Sequence, residues 1–289
     1  MTLVYAGTCC HAPGMTSRAE MAAPETRKQL HDAFARQRQA LIDTGTEALV
    51  MVSSEHFANF FMDNMPTYSI GMADAYEGPI EDPDWLKIKR TKIPANPDLS
   101  LRLINEVMHT VDVCYAQEWK FDHGMSVPLH FLTPAYDLPI VPVNINCQNP
   151  PLSPLHRTWE LGRALRRAID LAPEKIALIG TGGTSHWPCT PDSGRINEDW
   201  DQVLLDQLIH KRKDALLAYT DEKPSLRQAP VLLKCAPRYV SLLPQKTRQE
   251  KSGFQKRYQS MRQPAVLQPC IWSSEFSDRV MQGCHYRYS

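Results

Sequence analysis

The segment EALVMVSS (47–54) is apolar at consecutive positions, so a strand there must be covered on both faces, as in a sheet held between helices. Three more runs have the same character: TLVYAGT (2–8), LPIVPVNIN (138–146) and KIALIGT (175–181). Helical spacing separates them. One helix opens at Pro24, a residue suited to a first turn, and sets Leu30, Phe34 and Leu41 on one face. A second runs from about Pro97 to Met108, with Asn96 as its cap and Leu99, Leu103 and Val107 at helical spacing. A third covers roughly Leu155–Leu171. A last runs from about Asn197 to Ala218, with Trp200, Val203, Leu204 and Leu208 on its inner side. This strand–helix rhythm predicts an α/β fold: a mainly parallel or mixed central sheet covered by helices on both faces. The proline-rich, charged stretch 78–97 (GPIEDPDWLKIKRTKIPANP) is expected to be a long surface connection within one domain spanning 1–222.

Composition excludes several classes. With 43% hydrophobic and 22% charged residues the chain has the balance of a globular protein rather than a disordered one. The apolar run ALVMV (48–52) is strand-length, so no membrane span is expected. The start, MTLVYAGTCCHAPG, has no basic leader followed by a long apolar stretch, so no secretory signal is expected. Eight cysteines without a repeating spacing and without a CxxC pair point to reduced thiols and a cytoplasmic location.

The histidines carry the chemical signal. His11 (CCHAPG) and His56 (SSEHFANFF) each follow the end of an early strand, and His186 (GTGGTSHW) follows KIALIGT. Ligands of open α/β sheets sit beyond the carboxyl ends of the strands, which groups the three in space. Taken alone, His11 or His56 beside a turn is more often structural than a ligand, and their shared placement raises both. Imidazole suits zinc, copper or iron, and two histidines with one carboxylate form the facial site of non-haem iron(II) oxygenases. His123 (FDHGMSVPLHFL) is either tied into a local network by Asp122 or is an acid facing the same pocket. GTGG has neither the GxGxxG spacing nor a GK[ST] ending, which argues against nucleotide binding. Its glycines would instead let backbone approach a small ligand while His186 acts as base. Ser185 and His186 are adjacent and lack a GxSxG elbow, so a hydrolytic nucleophile is disfavoured.

The segments CHAPG, SEHFANFFMDNMPTYSIG, DHGMSVPLHFL, GTGGTSHW and INEDWD, in this order, resemble class III extradiol ring-cleavage dioxygenases of the protocatechuate 4,5-dioxygenase catalytic (beta) subunit type. The resemblance implies that His11 and His56 ligate Fe(2+) and that His186 is the base that deprotonates the substrate. His123 would then hydrogen-bond to or protonate oxygenated intermediates. It also implies a small aromatic diol and dioxygen as substrates, with assembly as a homo-oligomer or with a small partner subunit. Glu55 stands where these enzymes often carry Asp, a change that keeps the charge.

The resemblance breaks late in the chain. The family supplies its third ligand from a glutamate on a late helix after a TDE-like turn. Here YTDE (219–222) is followed by KPSLRQAPVLLKCAPRYVSLLPQ, which has no glutamate there and has prolines at 224, 230, 237 and 244 that break helices. Back-translating Lys223–Cys235 and shifting the frame by one nucleotide permits a small-residue stretch with a glutamate near position 234. A frameshift would also account for the tail's charge. From Lys223 onward there are twelve Lys plus Arg against three Asp plus Glu, net +9, and the first 222 residues carry the opposing −9. A frameshifted, irregular tail over 223–289 is therefore expected. A nucleic-acid role is not expected, since no recognised binding motif accompanies the charge. Glu222, Glu250 and Glu275 are the remaining carboxylates for the third position. Two further readings use the same histidines: a non-catalytic binding module with an incomplete metal site, and a zinc hydrolase that needs no oxygen.

Overall fold

Strand β2 (Ala48–Ser54) is buried along its whole length, and its alternation divides the interior into two cores. Ala48, Val50 and Val52 feed one apolar cluster. Leu49 and Met51 feed another on the opposite face. A computed structural model describes residues 2–147, 150–184 and 196–219. The chain runs β1 (Leu3–Cys10), α1 (Gly14–Ser17), α2 (Pro24–Asp43), β2, β3 (Tyr68–Gly71), β4 (Ala75–Gly78), α3 (Pro83–Leu86), β5 (Thr91–Pro94) and α4 (Pro97–Met108). It continues with β6 (Cys114–Ala116), α5 (His123–Leu132), β7 (Ile140–Ile145), α6 (Leu155–Asp170), β8 (Ile176–Gly182), α7 (Glu198–Ile209) and α8 (Lys213–Leu217).

The main sheet has the order β1-β8-β2-β7-β3-β6. β1, β8, β2 and β7 pair in parallel, while β3 runs antiparallel to β7. The sheet is therefore mixed but mostly parallel, with helices on both faces as expected. Helices α4 and α6 pack on the Val50 face, α2 and α5 on the Met51 face. The helix over Pro97–Met108 forms as the pattern predicts, because Asn96 accepts a bond from the Leu99 amide and satisfies one orphan donor of the first turn.

Three expectations are corrected. The stretch 78–97 is not a surface connection: it builds α3 and β5, and Leu86, Ile88 and Ile93 lie in the core. Its apolar residues are spaced by charges and prolines too closely for a periodic signal, yet β5 pairs with β4 in a second, two-stranded sheet. The single helix expected over 197–218 divides into α7 and α8 around Lys211, which has φ +53°. Within α7, Leu204 and Leu208 are buried as expected, but Val203 faces outward. The short strands β3 and β6 carry too few residues to announce themselves in sequence. The tail over 223–289 lies outside the described residues.

Candidate active site

The sheet register brings the carboxyl ends of β1, β8 and β2 level. Cys10 pairs with Gly182, and Val52 pairs with Gly180, so both outer strands end beside the end of β8. His11 therefore leaves β1 at the same edge at which His56 leaves β2, and its amide bonds the Gly182 carbonyl at 3.2 Å. His123 arrives from a different direction, as the first residue of α5. The rings of His11 and His56 lie 5.0 Å apart between centroids, His56 and His123 4.3 Å, and His11 and His123 5.8 Å. Residues separated by up to 112 positions thus converge on one point of the sheet edge. His186 lies outside the described residues.

In each ring the Nδ1 atom is engaged by protein. His11 Nδ1 lies 2.9 Å from Thr181 Oγ1 and 3.4 Å from Ser53 Oγ. Thr181 sits on β8 between the two outer strands, and its hydroxyl also lies 2.9 Å from Ser53 Oγ and 3.1 Å from the Gly124 carbonyl. That carbonyl is open to Thr181 for a local reason. The residue four positions on is Pro128, inside α5, which has no N–H to return the helical bond. A carbonyl only accepts, so the threonine proton goes to it or to Ser53. Either way His11 Nδ1 is the donor, and Nε2 carries the lone pair.

His56 Nδ1 lies 2.8 Å from Asp122 Oδ2. The other oxygen of Asp122 caps α5 by accepting from the Gly124 amide at 2.8 Å. One carboxylate thus starts the helix and orients the imidazole. Burial by itself would raise the Asp122 pKa, but His56, with His123 and His11 behind it, outweighs burial and holds the carboxyl below the usual range. With Nδ1–H on Asp122, the lone pair of His56 is on Nε2, where Ser54 Oγ stands at 2.9 Å.

Glu55 is buried just before His56. One of its oxygens accepts from the amides of Ala58 at 2.6 Å and Asn59 at 2.8 Å, and the other from Asn144 Nδ2 at 2.6 Å. This gathers the loop after β2, where Phe57 takes a left-handed backbone with φ +59°. Burial pushes the Glu55 carboxyl up, against the opposing effect of the Asn59 amide. The Glu for Asp departure therefore concerns loop shape as well as charge.

The hydrogen-bond partner of His123 is not its neighbour Asp122, which serves His56. It is Glu81, whose Oε1 lies 2.7 Å from His123 Nδ1. Burial lowers the His123 pKa, but the Glu81 hydrogen bond and the charge of Asp122 outweigh it and leave the value raised. Thr181, Ser53, Glu81 and the paired roles of Asp122 had no signal in the sequence beyond the DHG triplet itself.

Two imidazoles, each with Nδ1 held by a buried protein group and Nε2 as the lone-pair nitrogen, fit a partial donor set for a transition metal. A partner on the second ring nitrogen is the usual way a metal-binding histidine is oriented. Among the described residues no group of three or more His, Cys, Asp or Glu side chains is arranged to hold a metal ion. The carboxylate positions considered for a third ligand, Glu222, Glu250, Glu275 and the shifted-frame position near 234, all lie outside the described residues.

A family model described as the catalytic LigB subunit of aromatic ring-opening dioxygenase matches residues 5–235. A 2,3-dihydroxyphenylpropionate/2,3-dihydroxicinnamic acid 1,2-dioxygenase of Cupriavidus necator is 32% identical over 185 residues, covering 63% of this chain and 57% of that protein. The protein of the same name from Escherichia coli O81 (strain ED1a) is 26% identical over 263 residues, covering 90% of this chain and 73% of the relative. The chain thus spans a little over half the length of the Cupriavidus protein it matches. A crystal structure of an uncharacterized Escherichia coli K12 protein shares the fold, with TM-score 0.50, 21% identity, and coverage of 73% of this chain and 82% of the other.

Proposed function

Because the chain belongs to the family of the catalytic LigB subunit of aromatic ring-opening dioxygenases, we propose that it is an extradiol dioxygenase that opens a catechol-type ring with dioxygen. The observation that carries this reading is the convergence of His11, His56 and His123, each with Nδ1 engaged, at the carboxyl edge of the parallel strands. His11 and His56 would hold iron(II) through Nε2. When bound, that metal supplies open positions where a catecholate and dioxygen meet and exchange electron density. His123, close to both ligands, would as an imidazolium deliver its Nε2 proton to the oxygen-bearing atoms and return to the Nδ1–H form, and His186 would take the proton from the substrate hydroxyl. Such acid–base help contributes ~10²–10⁴-fold in rate.

The named substrates of the relatives, 2,3-dihydroxyphenylpropionate and its cinnamate analogue, are catechols and support that substrate class. A cytoplasmic setting is consistent with the free thiols of Cys9 and Cys114, and no described helix is long and apolar enough to cross a membrane. Assembly as a homo-oligomer or with a small partner subunit belongs to the same proposal.

The test is anaerobic reconstitution with Fe²⁺, followed by 2,3-dihydroxyphenylpropionate and oxygen. A yellow ring-opened product that is lost in His11→Ala and His56→Ala supports the reading. Absence of both bound iron and product would favour a non-catalytic binding module, which the incomplete ligand set among the described residues makes the alternative. Turnover with zinc and no oxygen would indicate a hydrolase instead.

A further inference from the structure

We propose that Glu81 is a positioning residue that fixes the ring plane and the tautomer of His123, an inference that rests on reading His123 as the proton-handling group. Two carboxylate–imidazole pairs stand side by side at the sheet edge, and their partners cross. Asp122 and His123 are neighbours in sequence, yet Asp122 is paired with His56 and His123 with Glu81. The first pair orients a proposed metal ligand. The second has the same geometry but belongs to a ring without an assigned ligand role.

Glu81 reaches His123 twice with one oxygen. Oε1 accepts from the His123 amide at 2.8 Å and from Nδ1 at 2.7 Å. His123 opens α5, so its amide is one of the donors a helix leaves unpaired at its start. A single oxygen that holds both backbone and ring removes the rotation about the side-chain bonds that would swing the ring away. An ionised carboxylate only accepts, so the shared proton is on Nδ1, and Nε2 is the nitrogen left for a substrate or oxygen.

The second oxygen argues against a merely stabilising role. Glu81 Oε2 is buried and has no hydrogen-bond partner among the described residues. A buried oxygen without a partner costs stability, and such groups call for a functional account. Glu81 arrives from the connection between β4 and α3, a segment remote in sequence from α5, so the contact depends on the packing of the second sheet.

The experiment has an arm that does not depend on turnover. In metal-free full-length protein with ¹⁵N-labelled histidine, long-range ¹H–¹⁵N spectra at alkaline pH read the tautomer of each imidazole. His123 is expected as the Nδ1–H form in the wild type. Glu81→Gln, which keeps an acceptor oxygen, is expected to retain it. Glu81→Ala is expected to shift it toward Nε2–H, and to lower kcat about 10²-fold at similar KM and iron content. Wild-type His123 found as Nε2–H overturns the proposal whatever the variants do, and so does a Glu81→Ala protein with unchanged tautomer. Failure of the underlying reading is distinct: His123→Ala would then turn over like the wild type, while the tautomer result still decides the role of Glu81.

Discussion

A Cβ built on Gly124 would stand 2.7 Å from Ser53 Oγ, 2.9 Å from Asp122 Oδ1 and 2.9 Å from His56 Cε1. The three side chains are themselves held by hydrogen bonds at Ser53 Oγ, Asp122 Oδ1 and His56 Nδ1, so none can yield freely. Gly124→Ala is expected to destabilise the fold by about 1–3 kcal/mol, as overpacking does, and to lower iron retention. Denaturant titration and metal analysis check the two parts, and wild-type stability with full iron content would refute the account. Asp122→Asn separates two functions of one side chain. The amide oxygen can still cap α5, but the charge that holds the His56 proton is gone. Iron affinity should fall about 10–100-fold with little change in helix content, measured by competition with a chelator and by circular dichroism.

Elements bring these residues together, and two of them can be tested directly. The cap on α4 is a local device: Asn96→Ala removes the bond to the Leu99 amide and should cost ~1 kcal/mol in denaturant melts without altering iron binding. The α2–α5 contact is expected to respond to pH. His31, Phe34, His130 and Phe131 form a ring cluster between these helices. Burial, and then the charge of His31, depress the His130 pKa below its ordinary 6.5. A depressed histidine contributes stability that is whole above the unfolded value and is lost as pH falls through the folded one. Stability should therefore decline as pH falls below about 6.5, and His130→Gln should flatten part of that slope. Identical slopes in thermal melts of the two proteins would count against this assignment.

For the whole molecule, the zero net charge divides into −9 before Lys223 and +9 from Lys223 onward. We propose that this break is a shift of reading frame. Sequencing the gene through codons 215–240 should reveal, in the shifted frame, a small-residue stretch with a glutamate codon near position 234. Stop codons or no glutamate there would sink the idea. A chain with that frame restored should bind iron more tightly than this one, since a carboxylate would then balance the metal charge beside two neutral imidazoles. The sequence by itself determined the succession β1, α2, β2, α4, β7, α6 and β8, the buried character of β2, β7 and β8, and the placing of His11 and His56 just past strand ends. Those follow from local periodicity and from where apolar runs stop. It did not reveal that 78–97 builds core, because its short elements show no period, nor that Asp122 serves His56 while Glu81 serves His123. Pairings between residues far apart in sequence arise only when the parallel register levels the strand ends and α5 docks against them. The tertiary structure alone decided which carboxylate orients which imidazole.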